Sequence, residues 1–287
     1  MKRQPPKPAA RRAKPRKSSK KITQGKILKY SALLLLTAFL IAMGYQYRHG
    51  FLYWLGFKTD KRVVALTKEE RKIEDLRIYE IVERHKDKVF GIDVSHYQDK
   101  IDWETLKNNN DEFPLGFVFV RATAGKSRVD KEYANNWKGA KASGYLRGAY
   151  HYYRPDENSV KQADNFIKNV KLSGGDLPPV LDIEKIPNRQ SLDSLKAGLK
   201  RWLIKVENHY GIKPIIYSGE SFYTDFLKKE FKGYDLWIAN YSFFDEEIRE
   251  EWLIWQFTDK AVLKGIKGTV DVDIYNGSYS ELKSLGK

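Results

Sequence analysis

The stretch Pro178-Pro179-Val180-Leu181-Asp182-Ile183-Glu184 is the most informative part of this chain of 287 residues. It is a short apolar run flanked by turn residues, and such a run predicts a buried β-strand. Because side chains alternate along a strand, Asp182 and Glu184 face one side and Ile183 faces the other. Two carboxylates this close favour one proton donor and one anion, the pair that glycoside hydrolysis needs. Asp-x-Glu alone is also typical of an exposed strand end.

The residues on either side of this strand predict a β/α barrel. From Lys88 onward, short apolar stretches alternate with polar or amphipathic helical stretches, which indicates βαβ units and a mostly parallel sheet. About eight strands favour a closed barrel over an open sheet. The predicted strands are Val89–Asp93, Phe117–Arg121, Arg147–Tyr152, Pro179–Asp182, Pro214–Tyr217, Leu236–Ala239, Leu253–Gln256 and Val270–Ile274. The predicted helices are Trp103–Lys107, Lys131–Ser143, Ser159–Val170, Ser191–His209, Ser221–Lys228 and Asp245–Glu250.

The positive charge of the chain is concentrated ahead of the barrel. Of the 52 Lys and Arg residues, 12 lie in residues 1–29, which contain none of the 37 Asp and Glu residues. The remaining chain has a net charge of only +3, so we expect no nucleic-acid partner for the barrel. A tail rich in Pro and Lys cannot bury enough apolar surface to fold, so we expect residues 1–29 to be disordered and cytoplasmic.

The segment from Tyr30 to Tyr47 contains 18 residues and no formal charge. As a helix it would span about 27 Å, close to the thickness of the hydrocarbon core of a bilayer. A cleaved signal peptide is the alternative, but the basic lead is long and no clear cleavage site follows Ala42. We therefore expect a single-pass membrane helix, with the rest of the chain outside the cytoplasmic membrane, on the periplasmic or cell-wall side.

A helical stalk or brace is predicted between the membrane helix and the barrel. Thr67-Lys68-Glu69-Glu70 fits a capping box, and an imperfect apolar stripe of Ile73, Leu76, Ile81 and Val82 follows it. The predicted organisation is a tail (1–29), a transmembrane helix (30–47), a linker and helical stalk (48–86) and an α/β domain with an irregular, TIM-like barrel (87–287). The oligomeric state stays open.

The sequence indicates neither a cofactor nor a metal. The chain has no cysteine, and its five histidines show no metal-binding spacing. No Gly-rich phosphate loop follows the first predicted strand, so we expect no dinucleotide site.

Acidic residues stand at several predicted strand ends. Asp93 ends the first strand, Asp182 and Glu184 end the fourth, and Asp271 belongs to the last, where Asp273 is an alternative candidate. Parallel barrels carry their chemistry at the carboxyl ends of the strands. A single strand-end Asp often caps a turn, whereas three strands that supply acids to one rim favour a catalytic site.

Motifs in order along the chain resemble glycoside hydrolase family 25, the muramidase-type lysozymes of bacteria and phages. They are Gly91-Ile92-Asp93-Val94-Ser95, Ile101-Asp102-Trp103, Phe119-Val120-Arg121-Ala122-Thr123, Gly148-Ala149-Tyr150-His151-Tyr152, Leu181-Asp182-Ile183-Glu184, Pro214-Ile215-Ile216-Tyr217-Ser218, Leu236-Trp237-Ile238-Ala239, Trp255-Gln256-Phe257-Thr258 and Val270-Asp271. The resemblance implies a flattened β/α barrel with an acidic groove. It also implies cleavage of the β-1,4 bond between N-acetylmuramic acid and N-acetylglucosamine in peptidoglycan.

The resemblance further implies a role for each acid. Glu184 matches the general acid, and Asp182 matches the residue that orients the substrate's 2-acetamido group. Asp93 and Asp271 match the remaining acids of the groove. The Cα atoms of same-face neighbours on a strand lie ~6.7 Å apart. This distance falls between the carboxyl separations of retaining and of inverting enzymes. The spacing therefore leaves the stereochemistry open, and the resemblance favours retention assisted by the substrate.

Side chains near the predicted strand ends are candidates for sugar contacts. Tyr152, Tyr217 and Trp237 are predicted to stack on sugar rings, although core packing is the commoner fate of a strand aromatic. Gln256 is predicted either to reach a substrate acetamide or to bond within a turn. Arg121 is expected to form a buried ion pair within the barrel, and His96 is expected at the groove edge or on a surface turn.

The sequence therefore predicts a lysozyme that acts on peptidoglycan glycan strands and is held by the cytoplasmic membrane. One alternative is a glycan-binding module without turnover. The other is a different N-acetylhexosaminide-cleaving glycosidase, such as a chitinase, although the Asp-x-x-Asp-x-Asp-x-Glu pattern of chitinases is absent.

Overall fold

The structure is a computed structural model that describes residues 29–39, 66–108, 113–242 and 246–286. The chain divides into two compact units, Met1–Arg48 and His49–Lys287. In the first unit, residues 29–39 form a helix whose large apolar side chains are exposed. Among the described residues, no helix is both long enough and apolar enough to cross a membrane. Residues 1–28 of the predicted tail and 40–47 of the predicted membrane helix lie outside the described residues.

The second unit is built on a nine-stranded sheet that closes into a barrel. Its strands are β1 (Val89–Val94), β2 (Leu115–Ala124), β3 (Arg128–Val129), β4 (Leu146–Tyr152), β5 (Val180–Asp182), β6 (Ile215–Gly219), β7 (Leu236–Ala239), β8 (Ile254–Ala261) and β9 (Val270–Tyr275). The order around the barrel is β1-β9-β8-β7-β6-β5-β4-β2, and the pairing of β1 with β2 closes it. The short strand β3 extends β2 as an antiparallel hairpin. The predicted eight-stranded barrel is confirmed.

One barrel strand runs against the others. Strand β9 is antiparallel to both of its neighbours, β8 and β1, whereas the remaining pairs between barrel strands are parallel. Residues 262–269, which join β8 to β9, contain no helix, and an antiparallel partner needs no crossover helix. The amino end of β9 therefore lies at the rim formed by the carboxyl ends of the parallel strands. Asp271, the second residue of β9, lies at that rim.

Helices surround the barrel. They are α1 (Lys68–Arg84), α2 (Trp103–Asn108), α3 (Tyr133–Ala142), α4 (Ser159–Asn169), α5 (Leu192–Tyr210), α6 (Glu220–Phe222), α7 (Lys228–Phe231) and α8 (Tyr279–Ser284), with a π-helical turn (Tyr223–Leu227) between α6 and α7. The predicted helix Asp245–Glu250 is wrong for residues 246–250, which are not helical. In that segment, Glu246 is held by α1: its carboxylate accepts from Arg77 Nε at 2.9 Å and its carbonyl from Arg84 Nη1 at 3.3 Å.

Side-chain alternation in the strands separates two apolar cores. In β5, Val180 belongs to the cluster inside the barrel, whereas Leu181 belongs to the layer between sheet and helices, as does Ile183 just after it. Asp182 shares the face of Val180 and therefore points inward. Glycine is required where inner aromatic rings press on the wall: a Cβ at Gly91 would overlap the ring of Phe117.

Helix α1 is a brace that packs on β8. The predicted capping box is present, since Thr67 Oγ1 accepts from the Glu70 amide at 3.2 Å and the Glu70 carboxylate accepts from the Thr67 amide at 2.9 Å. Half of the predicted apolar stripe is wrong, because Ile73 and Leu76 are exposed, whereas Ile81 is buried and Val82 packs against the core. The buried face also carries charge: Glu74 accepts from Thr258 Oγ1 at 2.6 Å. The contact between α1 and the barrel thus combines salt bridges and hydrogen bonds with the packing of two buried isoleucines of α1.

Candidate active site

Two of the predicted acids are direct neighbours at the barrel mouth. Asp93 of β1 and Asp271 of β9 are cross-strand partners in the sheet, and both are buried. Side chains of such a pair have Cβ atoms about 4.5–5.5 Å apart. Asp182 ends β5 elsewhere around the same rim and is also buried, and Glu184 follows it as a half-buried side chain.

Three of these acids lie within electrostatic reach of one buried phenol, that of Tyr150 in β4. Burial raises the pKa of Tyr150 well above its usual value. The charges of Asp93, Asp182 and Asp271 raise this pKa further, and the charge of Arg121 lowers it. Because such charge effects weaken with distance, the carboxylates of β1, β5 and β9 lie near enough to this one hydroxyl to act on it.

Two further phenols bring Glu184 into the same cluster. Burial raises the pKa of Tyr217, and the neighbouring phenol of Tyr241 and the charges of Glu184, Asp182 and Asp93 add to the increase. Burial likewise raises the pKa of Tyr241, with Asp271, Glu184 and Asp93 among the contributing charges. The four predicted catalytic acids therefore lie within electrostatic reach of a shared set of tyrosine hydroxyls.

A buried glutamine holds Asp93 in this arrangement. Gln256 of β8 is only 1% exposed, and its Nε2 donates to Asp93 Oδ2 at 2.5 Å. Its Oε1 accepts from the Tyr217 hydroxyl at 2.8 Å and also from the Tyr241 hydroxyl. A carboxylate can only accept and a phenol here donates, so the two ends of the amide are fixed by their partners. Gln256 thus fixes the position of one acid relative to two phenols.

The strand end that carries Asp182 and Glu184 is fixed by backbone bonds. The Ile183 amide donates to the Tyr217 carbonyl at 3.0 Å, and Ser218 Oγ donates to the Ile183 carbonyl at 2.7 Å. Ile183 itself is fully buried in the layer between sheet and helices. Both acids are therefore held on a segment whose central residue cannot rotate without breaking these contacts.

Comparison with known proteins agrees with this geometry. The family model for glycosyl hydrolases family 25 matches residues 92–266, a range that includes Asp93, Asp182 and Glu184 and ends before Asp271. The chain belongs to glycosyl hydrolases family 25. The prediction of a lysozyme-type glycosidase is confirmed.

Three similar proteins illustrate the family 25 relationship. The Escherichia coli (strain K12) protein YegX is 38% identical over 199 residues, which are 69% of this chain and 73% of that protein. Lysozyme M1 of Streptomyces globisporus is 29% identical over 216 residues, covering 69% of this chain and 71% of the relative. The solved structure of a family 25 glycosyl hydrolase from Bacillus anthracis matches with a TM-score of 0.61 and 30% identity, over 70% of this chain and 95% of that structure.

The predicted sugar-binding side chains of this family 25 chain lie at different depths. Tyr152 is half-buried at the end of β4, whereas Tyr217 is buried. Trp237 is only 2% exposed and packs against Phe119 at a centroid distance of 4.8 Å. Its indole nitrogen donates to Asp273 at 2.8 Å, so both residues lie in the interior. Substrate contact by Tyr152, Tyr217 and Trp237, as by the buried Gln256, stays a prediction.

Sequence reasoning did not select two tyrosines that the structure places at the mouth. Tyr150 lies on the same face of β4 as Tyr152, and the charges of the acids act on its phenol. The alternation of side chains along the strand could have indicated this position. Tyr241 follows β7 and donates to Gln256, and no sequence signal marks it. Within the described residues, no three His, Asp or Glu side chains are arranged to hold a metal ion.

An ion pair lies at the β1–β2 side of the mouth, so the ion pair predicted for Arg121 is present, at the rim. Arg121 Nε lies 2.9 Å from Asp130 Oδ2, and His96 Nδ1 lies 2.7 Å from the same oxygen. Burial opposes ionisation of Asp130, but the bond from His96 and the charge of Arg121 outweigh it and lower the pKa of Asp130. His96 lies in a short 3₁₀ turn directly after β1.

Proposed function

We propose that this chain is a peptidoglycan hydrolase that cleaves the β-1,4 bond between N-acetylmuramic acid and N-acetylglucosamine. The observation that supports it most is that Asp93, Asp182, Glu184 and Asp271 lie at one barrel mouth, where Gln256 bonds Asp93 and two of the phenols on which these charges act. Proteins that are similar to this chain in sequence include ones named lysozyme and N,O-diacetylmuramidase. A cluster of fixed acids suits a reaction in which positive charge develops on the sugar ring.

In the proposed mechanism, Glu184 is the general acid. Its half-buried position leaves it partly open to solvent at the mouth, as a group that meets the glycosidic oxygen must be. As the bond from the anomeric carbon to this oxygen breaks, Glu184 gives its proton to the departing sugar. The carbonyl oxygen of the 2-acetamido group, oriented by Asp182, forms the new bond to the anomeric carbon.

The second half of the reaction returns the enzyme to its starting state. Water attacks the anomeric carbon, the bond to the acetamide oxygen breaks, and the Glu184 carboxylate takes the proton of the water. This order retains the configuration of the sugar. Asp93, held by Gln256, and Asp271 beside it would bind the ring and stabilise its developing positive charge.

Product analysis on purified peptidoglycan tests this proposal. The full-length protein should release new reducing ends, and borohydride reduction should convert them to reduced N-acetylmuramic acid in mass spectra. Glu184→Gln should release almost none. New N-acetylglucosamine ends would contradict the bond assignment, and faster turnover of chitin oligomers than of peptidoglycan would favour the chitinase-like alternative. Binding without cleavage at any pH would favour a glycan-binding module.

We further propose that the chain is a single-pass membrane protein with its N-terminus in the cytoplasm and its barrel outside. The support is the uncharged segment 30–47 behind 12 basic residues, together with the exposed apolar side chains of the helix at 29–39. In fractionated cells the protein should stay in the membrane after carbonate extraction. External protease should digest the barrel in spheroplasts but spare an N-terminal tag, and recovery in the soluble fraction would contradict the proposal.

A further inference from the structure

Tyr97 is an exposed aromatic ring at the rim of the barrel mouth. The residue is 71% exposed and lies in the 3₁₀ turn His96–Gln98, which directly follows β1 and its Asp93. Gln98 Nε2 donates to the Thr269 carbonyl at 3.2 Å, two residues before Asp271 in β9. The turn is therefore tied to both strands that carry the neighbouring acids.

Two hydrogen bonds hold the turn that carries Tyr97. Ser95 Oγ accepts from the Tyr97 amide at 3.3 Å, and the Ser95 amide donates to Gln98 Oε1 at 2.9 Å. These two bonds form a capping box across the turn. The ring is thus presented from a backbone that does not need to become ordered when a ligand binds.

The ring of Tyr97 is also held by its neighbours. The imidazole of His96 stacks on it at a centroid distance of 4.4 Å and an angle of 29°. The guanidinium carbon of Arg121 lies 5.0 Å from its centroid. Arg121 and His96 are themselves held by Asp130. An exposed side chain that is held in this way loses little entropy on binding, and its open surface suits the apolar face of a pyranose ring.

We infer that Tyr97 forms a further sugar-binding subsite, which packs against a pyranose ring of the glycan strand beyond the bond that is cleaved. The inference rests on the proposed function and adds a determinant of substrate binding to it. The subsite lies on the β1–β2 side of the mouth, where Arg121 lies beside the Tyr97 ring and is the cross-strand partner of Tyr150 in β4. Tyr97 contributes to binding of the glycan strand and takes no part in the cleavage of the glycosidic bond.

Kinetics of three full-length variants on purified peptidoglycan test the inference. Tyr97→Ala should raise KM about three- to tenfold with kcat within about twofold, since a favourable ring contact accounts for a change of that size. Tyr97→Phe keeps the ring and should return KM to within about twofold of wild type. Tyr279→Ala is the matched control, because Tyr279 is 47% exposed and its ring lies beside Gly116, near the start of β2 and therefore at the opposite end of the barrel.

An unchanged KM for Tyr97→Ala would overturn the inference, as would a Tyr97→Phe variant that binds as weakly as Tyr97→Ala. Either result leaves the proposed function intact. If wild type releases no reducing ends, the proposed function fails instead. Cosedimentation with peptidoglycan then tests the subsite alone: weaker binding of Tyr97→Ala supports it, and equal binding overturns it.

Discussion

His151 is a fully buried histidine that should make the fold sensitive to acid. It lies in β4 beside Tyr150, with Nδ1 2.7 Å from Thr123 Oγ1 and Nε2 3.2 Å from Gln162 Oε1. The amide oxygen of Gln162 can only accept, so Nε2 carries the proton and Nδ1 accepts from the threonine hydroxyl. Burial lowers the pKa of His151 from 6.5 to about 3.

The sign and size of the pH effect follow from this pKa. Below pH 6.5 the unfolded chain binds a proton at this histidine, while the folded chain does not until the pH approaches 3. The folded state therefore loses stability as the pH falls from 6.5 towards 3. Each pH unit in this range costs about 1.4 kcal/mol, so two units cost about 2–3 kcal/mol of the free energy of unfolding.

Denaturant unfolding of wild type and His151→Gln between pH 7.5 and pH 4.5 measures the effect. The stability advantage of wild type over the variant should shrink by about 2–3 kcal/mol across that range. His209→Gln, which removes an exposed imidazole, controls for the loss of a histidine. Parallel curves for wild type and His151→Gln would refute the reasoning. The result also matters for kinetics, because loss of the fold must be separated from the acid limb of any pH–rate profile.

Three further substitutions test the barrel, the brace and the glutamine beside Asp93. Gly91→Ala should lower the free energy of unfolding by about 1–3 kcal/mol, because its Cβ would overlap an inner aromatic ring. Gly233→Ala, with open space around it, should be nearly neutral in the same denaturant titration. Arg77→Met should cost about 3–5 kcal/mol in that titration, since it leaves a buried carboxylate without its guanidinium. Gln256→Leu removes a donor to Asp93 and should lower kcat on peptidoglycan about tenfold, and an unchanged kcat would contradict the positioning role.

Strand β5, which carries Asp182, was predictable because side chains that are buried on both faces of a strand alternate with a period of two. Val180 and Asp182 share the inner face, and Leu181 and Ile183 face the layer between sheet and helices. Each acid also follows or begins a short apolar run, so the rim position of Asp93 and of Asp182 followed from the barrel alone. Asp271 reaches the rim for a different reason, because β9 runs antiparallel and begins there.

Contacts made by charged groups over long sequence distances were not predictable. Helix α1 packs through the buried side chains of Glu74 and Arg77, so its exposed Ile73 and Leu76 misled a search for an apolar stripe. The bonds from α1 to Glu246 connect residues more than 160 positions apart and accompany a segment that is not helical. Strand alternation carries no information about such pairs.

The most direct test of the central claim measures kcat of wild type and of Glu184→Gln on two substrates that differ in their leaving group. If Glu184 gives its proton to the departing oxygen, the variant should lose about 10²–10⁴-fold in kcat on peptidoglycan. It should lose far less on an aryl glycoside whose phenolate leaves without a proton. Equal losses on both substrates, or full activity on peptidoglycan, would show that the acids gathered at this mouth do not work in the way described.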